Sequence, residues 1–148
     1  MGRNIFRDKV VIVTGASTGI GRAIAKEFAR NGSKVVLAAR SIDKLMSLEQ
    51  EIRDDGFEAL SCVTDVTIEE ECRRLTETAV NKYGTIHILI NNAGISMRAL
   101  FEDVDLSVLK RLMDVNFWGT VYCTKYALPY IVRNRGSVVG VSSVAGFH

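Results

Sequence analysis

The chain has 148 residues, the length of one domain, and such a domain buries about 70% of the surface that its unfolded chain exposes. Its 19 Lys and Arg residues against 17 Asp and Glu residues give a net charge of +2, too small to indicate a nucleic-acid or membrane surface. Three cysteines without CxxC spacing and two isolated histidines argue against disulfides and against a metal site. The first residues lack the apolar core of a signal peptide, and no apolar run is long enough to span a membrane. We therefore expect one cytoplasmic domain, residues 1–148, with reduced thiols and with no metal, nucleic-acid or membrane partner.

Short apolar runs alternate along the chain with segments of helical period. The first run, Val10 to Val13, is continuous, as expected of a strand that is buried on both faces. The helical segment after it carries Ile20, Ile24 and Phe28 on one stripe. The predicted strands cover residues 10–13, 35–38, 59–63, 86–90 and 137–141, and a helical segment follows each of the first four.

The third and fourth crossovers carry further local signals. Thr67 with Glu70 three residues later predicts a capping box at the start of the third helix. The fourth crossover is a long helical segment from about Asp105 to Pro129. Five strands joined by four helical crossovers predict an α/β fold, a doubly wound parallel sheet with strand order 3-2-1-4-5.

The segment between the first strand and the first helix, residues 14–21 (TGASTGIG), is rich in glycine. Glycines let the backbone turn sharply and approach a pyrophosphate closely, and the start of the next helix offers unpaired N–H groups to an anion. A purely structural turn is the alternative, although strand, loop and helix follow one another in the order that phosphate binding needs. The phosphate-binding residues predicted here are Gly15, Ser17, Thr18, Gly19, Ile20 and Gly21.

The Gly-x3-Gly-x-Gly spacing, with Asn91-Asn92-Ala93-Gly94 after the fourth strand, resembles the short-chain dehydrogenase/reductase family. Further matches follow in order: Asp65-Val66 after strand three, Asn116 in the fourth crossover, and Ser142-Ser143 after strand five. The resemblance covers essentially the whole chain. It implies a Rossmann-like fold and hydride transfer between NADP(H) and a carbonyl or secondary-alcohol substrate. A flavodoxin-like signalling domain shares the alternation of strands and helices, but it gives no reason for the glycines.

The end of the second strand indicates which dinucleotide is used. Arg40 follows the non-acidic Ala39, at the place where the ribose of a dinucleotide is expected. An arginine fork binds a 2′-phosphate well and a carboxylate would repel it, so the expected cofactor is NADP. The alternative for Arg40 is a solvated surface arginine. Ser41 either adds a hydroxyl contact or caps the helix that follows.

The resemblance implies the remaining contacts with the cofactor. Asp65 is expected to accept the adenine amino group, with a structural role in its turn as the alternative. Asn91 is expected to stabilise the sheet itself. The other expected cofactor-binding residues are Val66, Asn92, Ala93, Gly94 and Ser142.

The resemblance also implies two catalytic residues. Ser143 is expected to donate a hydrogen bond to the substrate carbonyl. Asn116 is expected to kink its helix and order a water in a proton relay, or else to be a core asparagine whose polar groups are satisfied. The acid/base of the family is a tyrosine in a Tyr-x-x-x-Lys pair, and residues 1–148 contain no such pair. We therefore expect a sheet truncated after strand five and an inactive chain, as part of a longer protein or as a natural short form that binds NADP(H) without turnover.

Two further expectations concern partners. The helical segment from Asp105 resembles the one at the family's subunit interface, so a homodimer or homotetramer is expected. The loop from Ile95 to Glu102 is expected to line the substrate pocket, and Met97, Leu100 and Phe101 suggest an apolar lining.

Overall fold

The structure is a computed structural model that describes residues 4–143. Its strands are β1 (Val10–Thr14), β2 (Lys34–Ala39), β3 (Ala59–Val63), β4 (Ile88–Asn91) and β5 (Ser137–Gly140). Its α-helices are α1 (Gly19–Arg30), α2 (Ile42–Asp54), α3 (Glu69–Tyr83), α4 (Leu106–Met113) and α5 (Gly119–Arg133). A 3₁₀ turn (Phe101–Asp103) precedes α4, and a π-helical segment (Asp114–Trp118) joins α4 to α5.

The five strands of the described region form one parallel sheet in the order β3-β2-β1-β4-β5. The predicted doubly wound α/β fold and its strand order are therefore confirmed. Strand β1 is buried along its whole length, because apolar clusters lie on both faces of the sheet. One cluster includes Val11 and Leu48, and the other includes Ile12 and Leu75. In such a sheet all strands end at one edge, where the loops that follow them are brought together.

Helix α1 packs on the sheet through its smallest residues. Gly21, Ala25 and Ala29 are buried, whereas Ile20 is 65% exposed. The stripe of Ile20, Ile24 and Phe28 that marks this helix in the sequence is therefore not its most buried face. Because glycine and alanine lack long side chains, the helix and the loop before it lie close to the sheet.

The predicted capping box at the start of the third helix is wrong. Helix α3 begins at Glu69 and has no side-chain cap, and the Thr67 hydroxyl donates instead to Asp65 Oδ1 (2.7 Å). Glu71 accepts a hydrogen bond from the Asp65 N–H (2.6 Å). Short polar side chains readily bond to nearby backbone groups in this way. The turn fixes the position of Asp65 just beyond β3.

The fourth crossover is helical from Leu106 to Arg133, but it is interrupted by the π-helical segment. Such segments change the direction in which the following side chains project, and they are frequent at functional sites. Asn116 lies in the middle of this one. Within residues 4–143, no helix combines the length and the apolar character that crossing a membrane requires.

Candidate functional site

A cavity of about 630 Å³ opens where β1, β2, β3 and β4 end. Ligands of open α/β sheets bind at this edge, and the volume is within the usual range for small-molecule and cofactor sites. All of the predicted cofactor-binding residues line the cavity except Gly21 and Ser142. The cavity is also lined by Ala39, Lys44, Thr64, Ile95 and Val115.

Glycines bring the loop after β1 against the loop after β4. At Gly15 φ is +64°, and a Cβ there would lie 2.9 Å from the Cα of Ala93. A Cβ on Gly21 would collide with the side-chain amide of Asn92. At Gly19 φ is +54°, and no atom lies within 4 Å of the place that a Cβ would occupy. Gly15 and Gly21 therefore allow the two loops to touch, while Gly19 leaves backbone open to the cavity.

Asn92 and Thr14 join these two loops by hydrogen bonds. The Asn92 Nδ2 donates to the carbonyl oxygens of Thr14 (3.0 Å) and Gly15 (3.2 Å). The backbone N–H groups of Asn92 and Ala93 both donate to the buried Thr14 Oγ1, each at 3.0 Å. The amide nitrogen of Asn92 is thus engaged with the protein backbone, and this side chain shapes the cavity.

The end of β2 supplies the positive charge of the cavity. Arg40 and Lys44 both line it, and both side chains are exposed. Ser41 is the N-cap residue of α2, but its side chain makes no capping hydrogen bond. Helix capping by its side chain therefore does not explain the serine at this position. Ser41 also lines the cavity.

Asp65 supplies negative charge after β3. Its Oδ1 accepts hydrogen bonds from the N–H (3.0 Å) and the hydroxyl (2.7 Å) of Thr67. Partial burial raises the pKa of the Asp65 carboxyl, but the hydrogen bonds from Thr67 outweigh it and leave the pKa below its usual value. The positive charges of Arg40 and Arg111 lower this pKa further. Asp65 is therefore ionised at neutral pH and can accept hydrogen bonds from a ligand.

Asn116 lies beside the cavity and not in its lining. Its Oδ1 accepts a hydrogen bond from the Ile95 N–H, and its Nδ2 donates to the Ile95 carbonyl oxygen, both at 2.9 Å. A Cβ on Gly94 would lie 3.4 Å from this Oδ1. Asn116 therefore joins the π-helical segment to the loop after β4. Asn91, which is buried, joins β4 to α5 by donating to Thr124 Oγ1 (3.0 Å).

Ser142 and Ser143 lie just beyond β5, after Val141. Both are exposed, and neither lines the cavity. Their predicted places at the nicotinamide and at the substrate carbonyl stay predictions.

The sequence did not single out three residues of the cavity: Lys44, Thr64 and Val115. Thr64 and Val115 each precede a predicted residue, and both line the cavity although little of either residue is exposed. Lys44 is four residues beyond Arg40. Two cations four residues apart can lie close together at the start of a helix, but this spacing is common among surface residues and so predicts little by itself.

Comparisons with known proteins agree with this architecture. Residues 9–148 match the family model described as short chain dehydrogenase. The chain is 42% identical over 137 residues to "11-beta-hydroxysteroid dehydrogenase A" of Sesamum indicum, a match that covers 91% of this chain and 39% of the relative. It is 42% identical over 141 residues to "11-beta-hydroxysteroid dehydrogenase" of Pinus massoniana, which covers 94% and 40%. It is 37% identical over 141 residues to "11-beta-hydroxysteroid dehydrogenase-like 4A" of Arabidopsis thaliana, which covers 94% and 47%.

The chain therefore spans less than half the length of these relatives. The family model, by contrast, matches nearly all of this chain. The glycine loop, the Asn-Asn-Ala-Gly segment and Asp65 meet at one edge of a parallel sheet in the order 3-2-1-4-5. Together with the family match, this shows that the chain belongs to the short-chain dehydrogenase family.

Proposed function

We propose that this chain is the NADP(H)-binding part of an oxidoreductase that transfers a hydride between NADP(H) and a carbonyl or secondary alcohol. The observation that carries the proposal is the cavity where the glycine loop, Arg40 and Asp65 converge. Backbone left open at Gly19 suits a pyrophosphate, since the N–H groups at the start of α1 attract an anion. When it is bound, the cofactor donates or accepts the hydride.

The residues at the end of β2 fit the phosphorylated form of the dinucleotide. A carboxylate at this position would hold a ribose 2′-hydroxyl and repel a 2′-phosphate. Ala39 and Arg40 occupy this position instead. The guanidinium of Arg40 can donate two hydrogen bonds to the oxygens of a phosphate. Asp65 lies in the same cavity and provides an acceptor for the adenine amino group.

The residues of the chain position the substrate and the cofactor. Ser143 donates a hydrogen bond to the substrate oxygen and so stabilises the charge that develops there during reduction. Ser142 lies along the nicotinamide. Asn116 holds the loop after β4 through Ile95 and orders a water for proton transfer.

Proton transfer to the alkoxide needs an acid whose pKa is near the working pH. None of the four tyrosines lines the cavity in the part of the chain that the structure describes. The hydrogen bond to Glu69 raises the pKa of Tyr126, and burial raises the pKa of Tyr83. These shifts are opposite to what an acid catalyst requires. This holds equally for a part of a longer protein and for a natural short form that binds NADP(H) without turnover, which is the second candidate function.

The substrate class that we propose is an apolar secondary alcohol or ketone. The loop after β4 carries Leu100 and Phe101, which are 66% and 81% exposed. Exposed apolar side chains in the loop that continues from Ile95, which lines the cavity, favour an apolar ligand. The relatives named above are called hydroxysteroid dehydrogenases, and a hydroxysteroid has this chemistry.

We further propose that the protein is a homodimer or homotetramer and that it works in the cytoplasm. Helix α5 exposes Leu128 and Val132, which suits a contact with a second copy. The three cysteines are unpaired and buried, which suits a reducing compartment.

Calorimetric titration with NADPH and with NADH tests the proposed cofactor. NADPH is expected to bind at least about ten-fold more tightly, the value of one charge-assisted contact. Two matched variants test the glycine loop. Gly19→Ala and Gly56→Ala both place a side chain at positive φ with no neighbour within 4 Å, but only Gly19 lines the cavity. Gly19→Ala is expected to lose affinity for both nucleotides and Gly56→Ala to keep it. If wild type binds neither nucleotide, the proposal is wrong.

A further inference from the structure

We propose that Lys44 is a second residue that binds the 2′-phosphate of NADP(H), together with Arg40. This inference rests on the proposed function, because it presumes that the cofactor carries a 2′-phosphate. Lys44 lines the same cavity as Arg40 and Ser41, and it is the third residue of α2, the helix after β2.

Lys44 occupies an unfavourable position for a lysine in the free protein. It lies in the first turn of α2, which begins at Ile42. The N-terminal end of a helix has a partial positive charge, so a cation there is destabilised and an anion is stabilised. The other cation of this helix, Arg53, is in the last turn and pairs with Glu49 (2.7 Å). A residue that breaks a local rule in this way is expected where a ligand compensates for it.

The ion pairs on this side of the protein do not involve Lys44. Glu51 of α2 binds both Arg22 and Lys26 of α1. Over residues 4–143, by contrast, the side chains of Lys44 and Arg40 have no hydrogen bond and no ion pair. Both cations are therefore available to a ligand in the cavity.

The charge of the ligand calls for two cations. A phosphate monoester carries about −1.5 to −2 at neutral pH, so a single guanidinium balances only part of it. Among the residues that line the cavity, the charged ones are Arg40, Lys44 and Asp65. The two cations both follow β2, whereas Asp65 follows β3 and is engaged with Thr67. The cations therefore concentrate positive charge where the 2′-phosphate is expected.

The test compares adenosine 2′,5′-bisphosphate with 5′-AMP, two probes that differ only in the 2′-phosphate. Calorimetry is run on wild type, Lys44→Ala, Lys44→Arg, Arg40→Ala and the control Lys82→Ala, which removes an exposed lysine from the last turn of α3. Lys44→Ala is expected to weaken binding of the bisphosphate about ten-fold and to leave 5′-AMP unchanged. Lys44→Arg is expected to retain most of the affinity, and Lys82→Ala all of it.

Thermal unfolding without ligand separates phosphate binding from a structural role. Lys44→Ala is expected to unfold at the same temperature as wild type or higher, because it removes a cation from a helix N-terminus. The inference is overturned if Lys44→Ala binds the bisphosphate like wild type while Arg40→Ala binds it weakly; the proposed cofactor then stands. It is also overturned if Lys44→Ala loses both probes equally. If wild type binds the bisphosphate no better than 5′-AMP, the proposed cofactor fails as well.

Discussion

The half of the sheet around β1 and β2 and the edge formed by β5 differ in how completely their apolar residues are buried. Strands β1 and β2 are almost wholly buried, and α2 adds Leu45 and Leu48 to the core beside them. Every residue of β5, by contrast, is exposed, including Val138 and Val139. The half that contains β1 and β2 therefore has a closed core within the residues that the structure describes. The β5 side presents an apolar surface of the kind that other protein surfaces cover.

The largest expected effect concerns turnover, because this sequence has the predicted cofactor-binding residues but no Tyr-x-x-x-Lys pair to supply a proton. The 148-residue chain is expected to bind NADPH and to reduce no ketone or aldehyde at a measurable rate. A positioned general acid contributes about 10²–10⁴-fold to such a reaction, and no Tyr-x-x-x-Lys pair lies in this sequence. The oxidation of NADPH against a panel of carbonyl compounds measures the rate.

Robust turnover by this chain would contradict the prediction and would require an acid between Gly94 and His148. In a longer form of the protein that carries a Tyr-x-x-x-Lys pair, turnover is expected. There Ser143→Ala is expected to lower kcat far more than the matched variant Ser142→Ala, since only Ser143 is proposed to contact the substrate oxygen.

Two aliphatic truncations measure the difference in burial directly. Leu48 is fully buried against the sheet, and Val132 on α5 is 65% exposed. Leu48→Ala is expected to lower the free energy of unfolding by about 2–5 kcal/mol, because it leaves a cavity. Val132→Ala is expected to change it by no more than about 0.5 kcal/mol. Urea denaturation of the two variants compares them, and equal losses would show that Val132 is covered in solution, as it would be between two copies.

Removal of one charge tests the proposed nucleotide site. Arg40→Ala is expected to weaken NADPH binding by about 1.5–3 kcal/mol, the cost of losing one charge-assisted contact. NADH has no 2′-phosphate, so its affinity is expected to be unchanged and serves as the control. Equal NADPH affinity in wild type and variant, measured by calorimetry, would remove Arg40 from the site.

The smallest expected effect is a dependence of stability on pH, which arises at the end of the sheet where β1 and β4 begin. The Val10 N–H donates to Nδ1 of His87 (3.0 Å), which a protonated imidazole cannot accept. Burial, and then the positive charge of Lys9, hold the pKa of His87 below its ordinary value of 6.5. The stabilisation is therefore present above pH 6.5 and is lost as the pH falls through the lower pKa of the folded state.

The expected loss is about 0.5–1.5 kcal/mol, the usual net value of one hydrogen bond. Urea denaturation at neutral and mildly acidic pH measures it. His87→Asn has no imidazole to titrate, so its stability is expected to change less over the same range. An equal change in both proteins would assign the effect to other groups.

The sequence predicted the centre of the sheet well because β1 and β2 contain continuous apolar runs. A run such as Val10 to Val13 has no polar face, so it fits only a strand covered on both sides. The buried face of helix α1 was harder to predict, because the sequence pattern shows where apolar residues recur but not how closely the helix approaches the sheet. Gly21, Ala25 and Ala29 are buried because the helix lies close to the sheet.

Parts of the site depend on contacts between segments far apart in sequence. The two bonds between Asn116 and Ile95 link residues 21 positions apart and accompany a π-helical segment that no local pattern predicts. Thr67 has the residue type of a helix cap, but a nearer acceptor, Asp65, takes its hydroxyl. At Thr67 a competing hydrogen-bond partner therefore overrides the local preference for a helix cap. At Asn116 a tertiary contact determines the local structure.

The junction between the loops after β1 and β4 also limits how this protein can evolve. A side chain on Gly21 would need the space that the Asn92 amide fills, and Asn92 in turn satisfies the carbonyl oxygens of Thr14 and Gly15. A mutation at any one of these positions therefore damages the fit of the others before it can bring any benefit. An exchange at one of these positions would need compensating exchanges at the others, so we expect these residues to change together or not at all during evolution.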